Sequence, residues 1–154
     1  MVYLLFQIGK DRYALKAGGI VAVEPMVRLK RIPQAAAGVA GVFNYHGQPV
    51  PVVDLSAMAL GQPAQESLST RLALVRSRCP DGEQRLLGLV VEKATETAQY
   101  ADGDFQNPGV VAKGAPYLGP VVHDARGIVQ RIDVAQMLTP EVRNSLWQQA
   151  AEAL

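Results

Sequence analysis

The chain has 154 residues, 49% of them hydrophobic, and 15 basic side chains against 14 acidic ones leave a formal charge of +1. That length makes one domain with a core that needs no covalent staple, and the charge balance excludes a polyelectrolyte whose main partner is nucleic acid. Cys79 is the single cysteine, so neither an internal disulfide nor a multi-thiolate zinc site can be built, a usage that fits the cytoplasm. Residues 1–8 are apolar but lack a basic leading region, and no run reaches the ~20 apolar residues that span a bilayer. Membrane association is expected only through a partner.

In chain order, residues 3–8 read as a largely apolar strand, turned by Gly9-Lys10-Asp11 into a second over 12–15. A third over 20–24 is stopped by Pro25. Residues 41–55 hold two apolar runs joined by a polar Asn44-Tyr45-His46-Gly47 elbow, in which Gly47 accepts positive φ at little cost. Pro49 and Pro51 lack the amide hydrogen of a central strand, so the second run lies at an edge or begins its pairing late. Asp54 caps a short helix over 55–60, ended by Gly61 and Pro63. Residues 70–78 and 84–92 form a hairpin through Cys79-Pro80-Asp81-Gly82, and residues 121–123 and 128–132 form another through Asp124 to Gly127. Thr139 and Pro140 open a last helix with Val142, Leu146, Trp147 and Ala150 on one face. Segments 62–69 and 101–115 read as mobile loops. About ten short strands at this spacing make a barrel or a sandwich.

The inventory for catalysis is thin. His46, His123, Asp54, Asp124 and Cys79 could nominally supply a Cys-His pair or a metal set, yet no His-x-x-x-His or Cys-x-x-Cys spacing occurs. Neither phosphate-binding glycine fingerprint is present. The cluster Arg28-Leu29-Lys30-Arg31, with Phe43 and Tyr45, imitates an oligonucleotide-binding barrel only in part, because three charges make a small patch.

Around the elbow, Gly41, Asn44, Gly47, Pro51, Val52, Asp54 and Leu55 stand where the CheW-like adaptor signature has Gly-x-x-Asn-Leu-Arg-Gly followed by Pro-Val and Asp-Leu. The chain resembles that family along nearly its whole length. The strand at 3–8 with Gly9 and Tyr13-Ala14-Leu15 is similar to its opening hairpin, and Arg31-Ile32-Pro33 to the approach to the signature. The landmarks Gly88-Leu89-Val90-Val91-Glu92, Thr95-Glu96, Tyr117-Leu118-Gly119, Gly127-Ile128-Val129 and Ile132-Asp133 follow in order.

The resemblance implies a mainly β fold: two small five-stranded, SH3-like β-barrels around a shared hydrophobic junction. It places a CheW-like domain at 1–139 and a C-terminal helix, 140–154, packed on it. It implies a non-catalytic adaptor, without cofactor or metal, that couples chemoreceptors to a CheA-type histidine kinase. Other CheW-like domains in array rings are further partners, and the location is cytoplasmic at membrane-bound receptor arrays. Carried over by position, the coupling surface is Ile20, Gly41, Asn44, Tyr45, His46, Gly88, Ala94, Thr97 and Gly119; the glycines serve equally well as close-packing positions. Two departures bear on specificity: Tyr45-His46 replaces the usual Leu-Arg, and Ala22 stands where an acidic partner of that arginine is common. Both halves of an ion pair are gone together, which strands no charge. Standard coupling is thereby put in doubt, and a Wsp-type surface-sensing pathway fits as readily as flagellar chemotaxis. The competing readings are a small-molecule or oligonucleotide-binding β-barrel and, more remotely, a hydrolase built on Cys79 or a histidine.

Overall fold

The computed structural model describes residues 1–109 and 114–154, so part of the loop expected over 101–115 lies outside the described residues. Nine strands and two α-helices are present among them: β1 (Val2–Ile8), β2 (Asp11–Lys16), β3 (Ile20–Pro25), β4 (Val39–Tyr45), β5 (Gln48–Asp54), α1 (Leu55–Leu60), β6 (Arg71–Arg78), β7 (Gln84–Gln99), β8 (Leu118–Asp124), β9 (Gly127–Ile132) and α2 (Pro140–Ala153).

One strand explains the architecture. β7 is 16 residues long, and its two halves pair with different neighbours. Its first half pairs antiparallel with β6, from Arg78↔Gln84 to Arg71↔Val91, and parallel with β5 at Val52↔Gly88 to Asp54↔Val90. Its second half pairs with β1, from Gln7↔Glu92 to Val2↔Gln99. Two five-stranded units result: β8-β9-β2-β1-β7 and β3-β6-β7-β5-β4. The hydrogen-bond path is open, so each unit is a sheet wrapped on its own core and no strand pair closes a ring among the described residues.

The expected second strand of the central hairpin stops at residue 92, whereas β7 continues to Gln99. The cause is a bulge. Lys93 takes a left-handed φ of 50°, and the β1 register shifts between Leu5 and Gln7, which re-aims the chain from one unit into the other.

Period-two alternation assigns the buried side chains to three cores. In β1, Leu4, Phe6 and Ile8 enter the shared junction while Tyr3 and Leu5 fill the first unit; in β6, Ala73 and Val75 enter the junction while Leu72 and Leu74 fill the second. Both faces of these strands are therefore buried, which is why their sequences read as near-continuous apolar runs. Fully burying one such Leu or Phe contributes about 1.5–3 kcal/mol.

The helices seal the junction. Asp54 accepts the Ser56 and Ala57 N–H groups to cap α1, which ends at Gly61 with φ 74°. Thr139 accepts from Val142 N–H at the start of α2, whose Leu146 and Ala150 are buried in the junction. Trp147 is fixed as well, its Nε1–H donating to the Leu86 carbonyl at 2.8 Å. Residues 62–69, expected to be mobile, are tied down by several bonds: Ala64 N–H to Asp54 Oδ2, Gln65 N–H to Glu92 and Ala94 N–H to the Ser69 carbonyl.

Candidate functional site

The elbow is a two-residue hairpin turn. Tyr45 and Gln48 form the last pair of β4 and β5, and the residues between them, His46 and Gly47, have φ of 50° and 87°. Positive φ at both central positions is the turn whose twist matches the flanking strands. Asn44 completes it, Oδ1 accepting the Gly47 N–H at 2.7 Å. β5 pairs with β4 along its length but with β7 only from Val52, so Pro49 and Pro51 fall where no second ladder needs their missing amides.

Three aromatic groups step outward along the elbow. Phe43 is buried in the second unit, Tyr45 packs half-buried at 6.1 Å from it, and the exposed His46 ring lies 4.3 Å from Tyr45. Asn44 points away on the other face of β4 and is exposed. The tip thus offers an amide, a phenol and an imidazole on one two-residue turn.

The glycines at these positions are demanded by packing. A Cβ on Gly41, whose φ is 153°, would lie 2.5 Å from the Lys30 carbonyl oxygen. That approach exists because Lys30 and Val42 exchange two backbone hydrogen bonds, at 2.9 and 2.8 Å, beside the β4 bulge. A Cβ on Gly88 would meet Val52 at 3.0 Å and Leu72 at 3.2 Å, and one on Gly119 would meet the Arg131 carbonyl at 3.0 Å.

The nine positions are distributed over both units. Gly41, Val52, Gly88, Leu74 and Ala22 make a transverse row across the second unit, with the elbow at one end of β4 and Ile20 two residues before Ala22. Ala94 and Thr97 belong to the half of β7 in the first unit, and Gly119 lies on its edge strand β8. Ala94 is only 6% exposed and so lies beneath the surface, contrary to its expected place as contact surface. Asn44, His46 and Thr97 are exposed; Ile20 and Tyr45 are half-buried.

The nominal catalytic groups are dispersed, and their carboxylates are occupied. Asp54 Oδ1 accepts from Ser56 and Ala57 and Oδ2 from Ala64. Asp124 receives both Arg12 nitrogens, at 2.8 and 2.7 Å, with the Tyr100 hydroxyl at 2.9 Å and the Arg126 N–H at 2.8 Å. Arg12 above all, with the Arg126 amide and the Tyr100 hydroxyl, holds the Asp124 carboxyl well below the usual carboxylate range. Cys79 is buried in the β6–β7 turn, His46 tips the second unit and His123 lies exposed on β8 in the first. No group of three metal-ligating side chains occurs among the described residues.

One feature escaped the sequence reading: a cavity at the seam between the units, rimmed by Lys16, Arg76 and Arg131. Its signal was present in Arg76, which interrupts the alternation of Leu72 and Leu74 with an exposed charge. No described helix is long and apolar enough to cross a membrane.

Comparison with known proteins agrees with this geometry. The family model described as the CheW-like domain matches residues 2–141. The chemotaxis protein CheW of Treponema pallidum (strain Nichols) is 24% identical over 138 residues, 87% of this chain and 79% of its own. The chemotaxis protein CheW of Rhizobium meliloti (strain 1021) is 26% identical over 103 residues, 67% of this chain and 63% of its own. Among solved structures, the scaffolding protein TtCheW from Thermoanaerobacter tengcongensis is similar with a TM-score of 0.80 at 17% identity, covering 94% of this chain and 92% of that one. That likeness shows the shared fold, and the family match extends it to descent: the chain belongs to the CheW-like domain family.

Proposed function

We propose that this chain is a non-catalytic adaptor that couples chemoreceptors to a CheA-type histidine kinase in a chemosensory array. The observation that carries the reading is the family match across residues 2–141. Relatives named as chemotaxis proteins and a structural neighbour titled a scaffolding protein support it. Two units around one core suit the role physically, because a receptor and a kinase can occupy different ends of a rigid body. Contacts with other CheW-like domains in rings would reinforce modest interfaces by repetition. The adaptor works in the cytoplasm and reaches the membrane only through receptors.

The elbow gives the adaptor its specificity. Tyr45 and His46 present rings where the family pattern has Leu-Arg, and Ala22 supplies no carboxylate to an arginine. A receptor or kinase matched to this surface differs from the standard partner, and a Wsp-type surface-sensing pathway accommodates it as readily as flagellar chemotaxis.

The test is a pull-down from lysate of the source cell with the wild-type chain and with His46→Gly and Thr97→Arg, both at exposed positions. Gly41→Asp would be a poor probe, since the Lys30 carbonyl leaves no room for a side chain and loss of binding would report a broken strand. Recovery of a receptor and a kinase, with one of them weakened in a folded variant, is the expected result. Recovery of neither by the wild type refutes the reading.

A further inference from the structure

Arg76 stands near the end of β6, exposed, and its side chain lines two cavities. One, of about 290 Å³, opens at the seam between the units; Leu15, Val75 and Ile132 form its floor and are 2%, 2% and 4% exposed, while Lys16, Arg76 and Arg131 form its rim. The other, of about 510 Å³, runs past Leu86 and Pro49 to Trp147. The two cavities adjoin at Arg76, the lining residue they share, and form a trough in two parts, one at the seam and one at the indole.

Its charges do not cancel. Arg131 lies over the Phe105 ring at 5.1 Å, but Lys16 and Arg76 have no carboxylate within salt-bridge distance among the described residues. The acids that line the two cavities offset only part of this charge: Asp133 and Glu83 stand against Lys16, Arg76, Arg85 and Arg131, and Glu83 faces Arg85, which is also bidentate to Asp81. Two surplus cations thus flank an apolar floor. A free anion or a phosphate backbone would satisfy the cations and leave that floor wet, whereas an apolar side chain flanked by carboxylates answers both.

We propose that this trough seats an acidic protein segment. An apolar side chain fills the cavity over Leu15, Val75 and Ile132, carboxylates face Lys16 and Arg76, and the segment runs on toward Trp147. The proposal names the chemistry of a partner of the adaptor and in that respect rests on the adaptor reading.

The probe is a synthetic helix-forming peptide with leucines flanked by glutamates at three- and four-residue spacing, paired with a control in which every glutamate is lysine. Binding to the whole chain is followed by calorimetry and by fluorescence of Trp147, which is the only tryptophan and lies in the trough. The acidic peptide alone should bind saturably, shift the emission and weaken as salt is raised. Arg76→Glu should weaken it about tenfold and Arg76→Lys should largely preserve it, the scale of a charge reversal at a solvated rim. Because Arg76 is exposed, both variants are expected to melt like the wild type. No binding of the acidic peptide, equal binding of both peptides, or binding untouched by Arg76→Glu overturns the proposal. Two other outcomes overturn it by assigning the cations elsewhere: single-stranded oligothymidylate bound through Arg76, or a wild-type dimer that Arg76→Glu dissociates in sedimentation. Peptide binding intact with no receptor or kinase recovered from lysate would count against the adaptor reading alone.

Discussion

The unit of β1, β2, β8, β9 and the end of β7 is filled by Tyr3, Leu5, Ala14, Tyr100, Val122 and Val129, with Phe105 packed against them. Its three rings meet at 5.2 to 5.8 Å between centroids, and Arg12, Asp124 and Tyr100 lock its margin in a half-buried network. The other unit is filled by Phe43, Val50, Val52, Leu72, Leu74 and Val90, an almost wholly aliphatic core. Five strands are thus held on one side by aromatic contacts and charge, and on the other by aliphatic volume. Such units should yield to different insults, even though β7 and the junction core make them neighbours.

The aliphatic unit should suffer most from lost volume. Leu74 is 0% exposed, so Leu74→Ala should cost about 2–5 kcal/mol in urea-induced unfolding, the transfer loss plus a cavity the sheet cannot collapse. The aromatic unit should suffer from lost charge. The side chains of Arg12 and Asp124 are 15% and 26% exposed, and Asp124→Ala leaves the guanidinium and the Tyr100 hydroxyl without their partner, at about 2–3 kcal/mol. Replacing Arg12 by Met in the same chain should recover part of that loss, and a double-mutant cycle measures how much.

Acid separates the units further. Arg12 depresses the folded carboxyl of Asp124, so the stabilisation is present above the ordinary Asp value, near 3.9, and is lost progressively as pH falls below it toward the folded value. Between pH 4 and 2, roughly, the wild type should lose stability more steeply than Asp124→Ala, while Leu74→Ala keeps the wild-type slope. Parallel acid limbs for wild type and Asp124→Ala would show that the network contributes nothing to folding.

A smaller effect sharpens the same contrast. The hydroxyl of Tyr3 is buried with no hydrogen-bond partner among the described residues, although its ring is central to the aromatic cluster. Tyr3→Phe keeps the ring and removes the orphan, so stability should be unchanged or rise by up to about 1 kcal/mol. A clear loss would mean that the hydroxyl is satisfied in solution.

How far each unit could be read from the sequence follows from the same difference. In β6 and the first half of β7, apolar residues fill both faces and the hairpin was plain; the elbow, with Asn44, Gly47 and the two prolines, was equally plain because turn chemistry is local. The second half of β7 was not, since the residues following Glu92 are mostly polar and strand-like only because β1 holds them. The Arg12–Asp124–Tyr100 network joins residues up to 112 apart, and no local pattern announces such a meeting. At the candidate site, the identity of the elbow was legible while the scatter of the nine positions over both units was not, because it depends on where β7 crosses.

The smallest predicted effect lies at the elbow and decides how its function can be probed. His46 holds a φ of 50°, a conformation that costs a non-glycine residue about 1 kcal/mol and that Gly47 beside it adopts freely. His46→Gly removes that strain but gives the unfolded chain more freedom, two terms of similar size and opposite sign. The variant should therefore melt within about 0.5 kcal/mol of the wild type, whereas His46→Val, β-branched at a left-handed position, should lose about 1–2 kcal/mol. Thermal unfolding of the pair checks the order. If His46→Gly is neutral in stability and still weakens partner recovery, the imidazole acts by contact; if both variants keep the partner, the ring that replaces the family's arginine is a turn residue and the coupling surface lies elsewhere on the two units.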